Sequence, residues 1–301
     1  MVYYYIAAAA KAVAAVVYDP NRLSISLVAY TSMTPDIKLV AIDLDGTLLA
    51  DNHSTDPANL AAIHQAEAQG VTVVICTGRP YPSANEVASQ LGLTDNPIIS
   101  YNGALVRMPG DGEVLFSQPV PAELAEQVVQ DCVERQLQIH YFLDDVMYVP
   151  RVSAGARLYG QRTGMQPAPA GDLRKFAGRS PTKILVFAGP DVVQRLRPEF
   201  ESRYDGKLYV TTSMPEYLEF LHPDVSKGNA LRALADQLGL DASQTMAIGD
   251  LLNDLPMVEM AGVGVAVAHA EEALQSAADY VTDSSEQAVA EALERFVLNP
   301  P

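Results

Sequence analysis

At 301 residues the chain is long enough for two domains and a substantial core, and 49% hydrophobic with 19% charged residues is the balance of a soluble globular protein. Acidic residues outnumber basic ones 37 to 20, a formal charge of −17, which argues against nucleic acid and against an anionic membrane surface as partners, since both need clustered Lys and Arg. Any anionic substrate must then be drawn in by local positive charge, and the two cysteines, Cys76 and Cys132, fall in different predicted elements and form no disulfide framework, which fits the cytoplasm.

Residues 1–36 read as an extension that the rest of the chain does not need. The stretch 2–18 is apolar except for Lys11, which makes it short and interrupted for a membrane span. No basic segment precedes it, as a signal peptide would require. Leu39-Val40-Ala41-Ile42 then reads as a strand buried on both faces. It runs directly into Asp43-Leu44-Asp45-Gly46-Thr47. One reading of that segment is a polar turn. The other is a pair of carboxylates sharing a cation, or an Asp that carries a phosphoryl group.

Asp56-Pro57 supplies an N-cap and first residue for a helix with Leu60 and Ile63 inward and Gly70 as its stop. A second buried strand, 71–75, delivers Thr77-Gly78-Arg79. Ser83 and Glu86 have capping-box spacing for a helix to about 91, with Pro80 as the other start. A third strand, 97–100, ends at Tyr101-Asn102-Gly103-Ala104. Strands alternating with helices imply a parallel sheet, whose ligands bind at the C-terminal strand ends.

The pattern changes after a hairpin at 110–112. A helix over 121–137 turns Leu124, Val128 and Val129 inward. Strands 139–143 and 146–149 join across Asp144-Asp145, and 165–171 is a loop rich in Pro, Ala and Gly. Strands 183–187 and 208–212 flank a helix from about 191, and 218–221 is a last strand. From 223 the first pattern resumes. Ser226 caps a helix with Leu231, Leu234 and Leu238 inward, closed by Gly239. Strand 245–248 ends at Gly249-Asp250 and a short helix runs to about 261. Strand 263–267, helix 271–277, strand 280–281 and a closing helix, 286–296, complete the chain.

Four pieces now stand in order: Asp43-Leu44-Asp45-Gly46-Thr47, Thr77-Gly78-Arg79, Ser226-Lys227-Gly228, and Gly249-Asp250-Leu251-Leu252-Asn253-Asp254. Together they resemble the four motifs of the haloacid dehalogenase superfamily. The long insert between the second and third makes the chain similar to its Cof-type phosphatases with a subclass IIB cap. The resemblance spans about 37–296. It implies an α/β fold, a doubly wound parallel-sheet core over 37–119 and 223–297, and an inserted α+β cap over 120–222 that chooses the substrate.

The resemblance also implies roles. Asp43 is the nucleophile and a Mg²⁺ ligand. Asp45 is the general acid and base, with its main chain on the metal, and Asp250 is the next ligand. Leu44, Thr77, Gly78, Lys227 and Asn253 contact the phosphate. Asp254 orients metal waters or Lys227, and Arg79 is either part of the signature or a structural partner of a carboxylate. Read from the residues alone, Thr77-Gly78 is more often a strand–helix turn and Lys227 a solvated lysine. Lys227 at a helix N-terminus, however, sits where free N–H groups favour anions.

Two positions depart from the family pattern. His269 stands where Asn is frequent and reads as a loop residue, and Ala288 replaces a common glycine. His53, His64, His140 and His222 lack partners at metal spacing and read as surface or satisfied histidines. Tyr217 and Glu219 are candidate contacts from the cap. The expected function is a Mg²⁺-dependent phosphatase of small phosphorylated metabolites. The alternatives are a dedicated sugar-phosphate phosphatase or phosphosugar mutase on the same core, or a non-catalytic binding protein.

Overall fold

The computed structural model describes residues 36–50, 54–110 and 112–300, and the backbone of three earlier strands. These are β1 (Tyr3–Tyr5), β2 (Ala14–Asp19) and β3 (Ser24–Ala29), which form a small antiparallel sheet of their own. The rest of residues 1–35, and His53, lie outside the described residues.

An eight-stranded sheet organises the main body. Its strands are β4 (Leu39–Ile42), β5 (Thr72–Cys76), β6 (Ile98–Ser100), β7 (Leu105–Arg107), β8 (Val114–Ser117), β15 (Thr245–Gly249), β16 (Val263–Ala266) and β17 (Tyr280–Val281). Their order is β17-β16-β15-β4-β5-β6-β7-β8. The strands from β17 to β6 run parallel, and β7 and β8 add an antiparallel edge. Alternate residues of β4 face opposite cores. Leu39 and Ala41 pack with Leu231 and Leu234 of α6 (Lys227–Gln237) and Met257 of α7 (Leu255–Met260). Val40 and Ile42 pack with Ile63 of α1 (Pro57–Ala68), Ala84 of α2 (Tyr81–Leu91), Leu274 of α8 (Glu272–Ala277) and Leu293 of α9 (Ala288–Leu293). This two-sided burial is why the strand reads as a continuous apolar run.

Residues 122–221 carry a second sheet. Its strands are β9 (Gln138–Leu143), β10 (Val146–Val149), β11 (Pro167–Pro169), β12 (Lys183–Phe187), β13 (Tyr209–Thr211) and β14 (Tyr217–Leu221), in the order β11-β10-β9-β12-β14-β13. One face is covered by α3 (Ala122–Glu134) and α5 (Pro190–Arg203) over a core of Val128, Ile184, Phe200 and Phe220. The other face carries Phe142, Leu185, Tyr217 and Leu221 and packs with Ala156 and Tyr159 of α4 (Ala154–Thr163). Asp144 and Asp145 turn from β9 to β10 with φ of 52° and 59°, the positive values a tight hairpin needs.

Several local readings are corrected. Helix α4 occupies 154–163, where no helix is expected, and its apolar periodicity is weak because Gly155 and Gly160 lie on the buried side. β11 forms inside the expected 165–171 loop, because an edge strand tolerates proline. The Ser83–Glu86 capping box does not form: α2 starts at Tyr81 after Pro80, and Ser83 is a buried helical residue. Leu238 is the C-cap of α6 and 46% exposed. On α1, Asn59 is buried in preference to Leu60, because its side chain bonds Glu286 O and Ala290 N and ties α1 to α9. His140 is neither exposed nor satisfied: both ring nitrogens are buried without a partner among the described residues. Burial first, then Lys183, pulls its pKa down to about 4. Both thiols are free and buried, and burial pushes that of Cys132 up to about 12.

Candidate active site

Register brings the motifs together. Ile42 of β4 pairs with Ile248 of β15 on one side and Ile75 of β5 on the other. Asp43, Gly249 and Cys76 therefore leave three adjacent parallel strands at one level. Asp250 and Thr77 follow one residue later. A β-carbon at Gly46 (φ +93°) would run into the Asp250 carboxylate, so the first motif lies directly against the fourth only with glycine there. Thr47 Oγ1 then donates to Asp250 Oδ1 at 3.1 Å.

Lys227 enters from the side. Ser226 caps α6 by accepting from Asn229 N at 3.0 Å, which sets Lys227 in the first turn. A β-carbon at Gly228 would collide with the Pro256 carbonyl, so only glycine lets α6 approach α7 this closely. The lysine is fully buried, and Nζ donates to Asp43 Oδ1 and to Asp254 Oδ1, each at 2.5 Å. The other oxygen of Asp254 accepts from the amides of Asp250 (3.0 Å) and Leu251 (3.1 Å). Asp254 thus has both oxygens engaged in holding Lys227 and the fourth motif.

Carboxylate oxygens of Asp43, Asp250 and Asp254 lie within 4.8 Å of one another. Burial raises the pKa of Asp43; Lys227 opposes this, and Asp254 and Asp250 add to it. Burial and Asp254 push Asp250 up to about 6. Burial alone would pull Lys227 down, but Asp254 and Asp43 outweigh it and hold the ammonium above its usual range. Three acids thus crowd one cation. A hard divalent ion fits such an oxygen donor set and would relieve it. With Asp254 engaged, Asp43 and Asp250 are the carboxylates left to hold it.

Asp45 points elsewhere. Its carboxylate takes Arg79 Nε at 2.8 Å and Nη2 at 2.5 Å, and its side chain is 49% exposed. Its side chain is therefore outside the acid cluster. Leu44 has its side chain in the main core, which leaves only its main chain for a ligand. Thr77 Oγ1 accepts from Arg79 N at 3.1 Å. Gly78 lies against Asn102, whose Oδ1 would be 2.8 Å from a β-carbon there. Asn253 Nδ2 donates to that same Oδ1 at 3.1 Å. His269 is exposed and lines a separate cavity beside Gly46 and Thr47.

A cavity of about 480 Å³ joins these groups to the second sheet. Asp43, Asp45, Thr77, Gly78, Arg79, Asn102 and Asn253 line it from the main body, and Tyr159, Arg162, Lys183, Ser213, Tyr217 and Glu219 from the insert. Lys227, Asp250 and Asp254 sit behind that lining. Of these, Asn102, Tyr159, Arg162, Lys183 and Ser213 have no functional role assigned from the sequence, and neither has Thr47, which bonds Asp250 from outside the cavity. Thr47 stands in the first motif. The left-handed backbone at Tyr101 and Asn102 (φ 52° and 59°) is a feature that a bare Tyr-Asn-Gly run only hints at.

Fold and site together define a capped, doubly wound α/β hydrolase. The chain belongs to the haloacid dehalogenase-like hydrolases, whose family profile matches residues 40–293. Among curated relatives, 5-amino-6-(5-phospho-D-ribitylamino)uracil phosphatase YcsE of Bacillus subtilis is 32% identical, covering 87% of this chain and 97% of its own. Among solved structures, TM0651 of Thermotoga maritima superposes with a TM-score of 0.79 at 29% identity, covering 86% of this chain and 97% of that one. The subclass IIB sugar phosphatase BT4131 shares the fold, with a TM-score of 0.71 at 21% identity over 85% of this chain and 98% of that one. Among the described residues no helix is long and apolar enough to cross a membrane.

Proposed function

We propose that this chain is a Mg²⁺-dependent phosphatase of small phosphorylated metabolites, working through an aspartyl-phosphate on Asp43. Hydrolysis of phosphoric monoesters follows from the family. The relative that acts on a phosphorylated ribitylamino-uracil supports a small metabolite as substrate. The two buried free thiols fit a cytoplasmic setting.

The observation that carries the finer reading is Lys227 bridging Asp43 and Asp254, with Asp250 beside them, at the C-terminal ends of adjacent parallel strands. Phosphoryl transfer needs little covalent chemistry from the protein and much charge stabilisation. The Thr77 hydroxyl, the Gly78 amide, Asn253 and Lys227 receive the phosphate. The Asp43 carboxylate attacks phosphorus, and the bond to the leaving oxygen breaks as Asp45, protonated from solvent on one oxygen while Arg79 keeps the other, gives that oxygen its proton. Asp45 then takes a proton from the water that attacks the phosphorylated Asp43, which frees phosphate and restores both carboxyl groups. Arg79 fixes Asp45 at the cavity edge, and Asp254 keeps Lys227 aimed at Asp43. When bound, Mg²⁺ held by Asp43, Asp250 and the Asp45 main chain supplies positive charge to the transferring group. Residues 37–119 and 223–297 act as the catalytic body, and 120–222 as the cap that selects the leaving group.

The test is hydrolysis of a panel of phosphate esters by the purified full chain, with Mg²⁺ and with excess chelator. Turnover should require the metal and vanish in Asp43→Asn. Full turnover in chelator, or in the variant, would refute the reading.

A further inference from the structure

The insert's wall of the cavity carries a charged pair that fold stability does not explain. Lys183 on β12 and Glu219 on β14 are each 1% exposed, and Lys183 Nζ donates to Glu219 Oε1 at 3.0 Å. Ser213 Oγ donates to the same oxygen at 2.8 Å. Glu219 Oε2 is buried and has no hydrogen-bond partner among the described residues. Around the lysine stand the rings of Tyr101 and Phe142, with centroids 5.8 and 5.2 Å from Nζ.

A buried ion pair is seldom better for stability than apolar side chains of the same volume. The surrounding face is built of such side chains: Leu185, Phe142 and Leu221. An unmet buried carboxylate oxygen is a further cost, and it calls for an explanation such as a ligand or an ordered water. The two oxygens of Glu219 are used unequally. One is pinned by two donors, which leaves the other as an acceptor beside the cavity that contains Asp43 and Asp45.

We infer that Glu219 reads the leaving group: Oε2 accepts an O–H or N–H hydrogen bond from the alcohol portion of the phosphate monoester, and Lys183 and Ser213 are the positioning residues that hold the carboxylate. This rests on the phosphatase reading above. A polyol and an amino-substituted ring both present such a donor, and the Tyr159 and Tyr217 rings in the same wall can lie against either. Oε2 is shielded from water as the structure stands, so the donor reaches it with a local shift of the wall. Met214, 43% exposed in that wall, is an unbranched side chain able to give way.

The experiment measures kcat/KM of wild type, Glu219→Gln and Ser213→Ala on three ester classes. They are p-nitrophenyl phosphate, with no donor; a hexose phosphate, with hydroxyls; and pyridoxamine phosphate, with an amino group. The ratio of donor-bearing to donor-free esters should fall about tenfold to a hundredfold in Glu219→Gln. Ser213→Ala should move it the same way by less, and carries the test should Glu219→Gln not fold. A fall confined to the hexose phosphate identifies a polyol substrate, and one confined to pyridoxamine phosphate an amino-bearing ring. Equal loss on all three esters, or no change in the ratio, overturns the inference while leaving the phosphatase reading intact. A wild type inactive on every ester, with Mg²⁺ present, overturns the phosphatase reading and this inference with it.

Discussion

Replacing Lys227 with Met keeps a long side chain in the same buried space and removes its charge. The lysine is the cation that bonds both Asp43 and Asp254, and Asp250 lies within 4.8 Å of them. Removing one partner of a buried ion pair costs about 3–5 kcal/mol, because the remaining charge is left uncompensated. At about 2–4 °C per kcal/mol for a chain of this order, the melting temperature should drop by about 6–20 °C in chelator. The drop should shrink in acid. Carboxylates whose folded pKa lies above the unfolded value are penalised only once they ionise. The penalty is absent below the unfolded value and complete above the folded one, which for Asp250 is about 6. Losing Lys227 raises those pKa values further and so widens the gap at neutral pH. Mg²⁺ should stabilise the variant more than it stabilises wild type, since it replaces the missing charge. The assay is thermal unfolding between pH 4 and 8, with chelator and with Mg²⁺. A variant that melts with wild type in chelator at pH 7.5 would refute the view that Lys227 neutralises this cluster.

Asp43→Asn should lower kcat by more than about a hundredfold, or about 2.7 kcal/mol of barrier, while the circular dichroism spectrum stays that of wild type. Ca²⁺ should inhibit the Mg²⁺ enzyme, because its longer bonds and higher coordination number let it engage both oxygens of Asp43; an inhibition titration at fixed Mg²⁺ reads this directly. Mg²⁺ affinity measured by calorimetry should weaken as pH falls through about 6, where Asp250 takes up a proton and stops being a ligand. Gly78→Ala should raise KM for any ester, since a β-carbon there would stand 2.8 Å from Asn102 Oδ1 and displace the amide that meets Asn253; an unchanged KM would show that this contact is soft. Deleting residues 1–32 should leave turnover and melting temperature unchanged.

The main body is legible in the sequence because its strands are buried on both faces and end in polar motifs. Leu39–Ile42, Thr72–Cys76 and Thr245–Gly249 each announce themselves as apolar runs, and the register between them needs no further signal to bring Asp43 beside Asp250. The insert is less legible. Helix α4 carries two glycines and little apolar periodicity, yet its Tyr159 packs against His140, Phe142 and Tyr217 and lines the cavity. Asn102 and Ser213 belong to no apolar pattern at all. Their roles arise from partners 151 and 6 residues away, respectively, so only the folded chain exposes them. Asp45, two residues from Asp43, turns its carboxylate to Arg79 rather than to the acid cluster, and a carboxylate partner is one of the two readings the sequence leaves for Arg79.

The charge balance of the cavity supports the proposed metal. The chain carries a net −17, and every cationic side chain at the site is already committed to an acid. Arg79 is bound to Asp45, Lys227 to Asp43 and Asp254, Lys183 to Glu219, and Arg162 to Glu216. Asp250 is left with a threonine hydroxyl and no salt-bridged cation among the described residues. A phosphate dianion entering this cavity would add two more negative charges to a site that is at best internally neutral. Local lysines and arginines therefore do not create a standing positive patch; each is already held by an acid. Under the proposed function, net attraction for the substrate comes from a bound divalent cation, and the acid cluster of Asp43 and Asp250, which carries more carboxylates than cations, is where such an ion gains most by binding. On this view metal and substrate bind with mutual reinforcement, and calorimetry should find the Mg²⁺ affinity rising when inorganic phosphate is present.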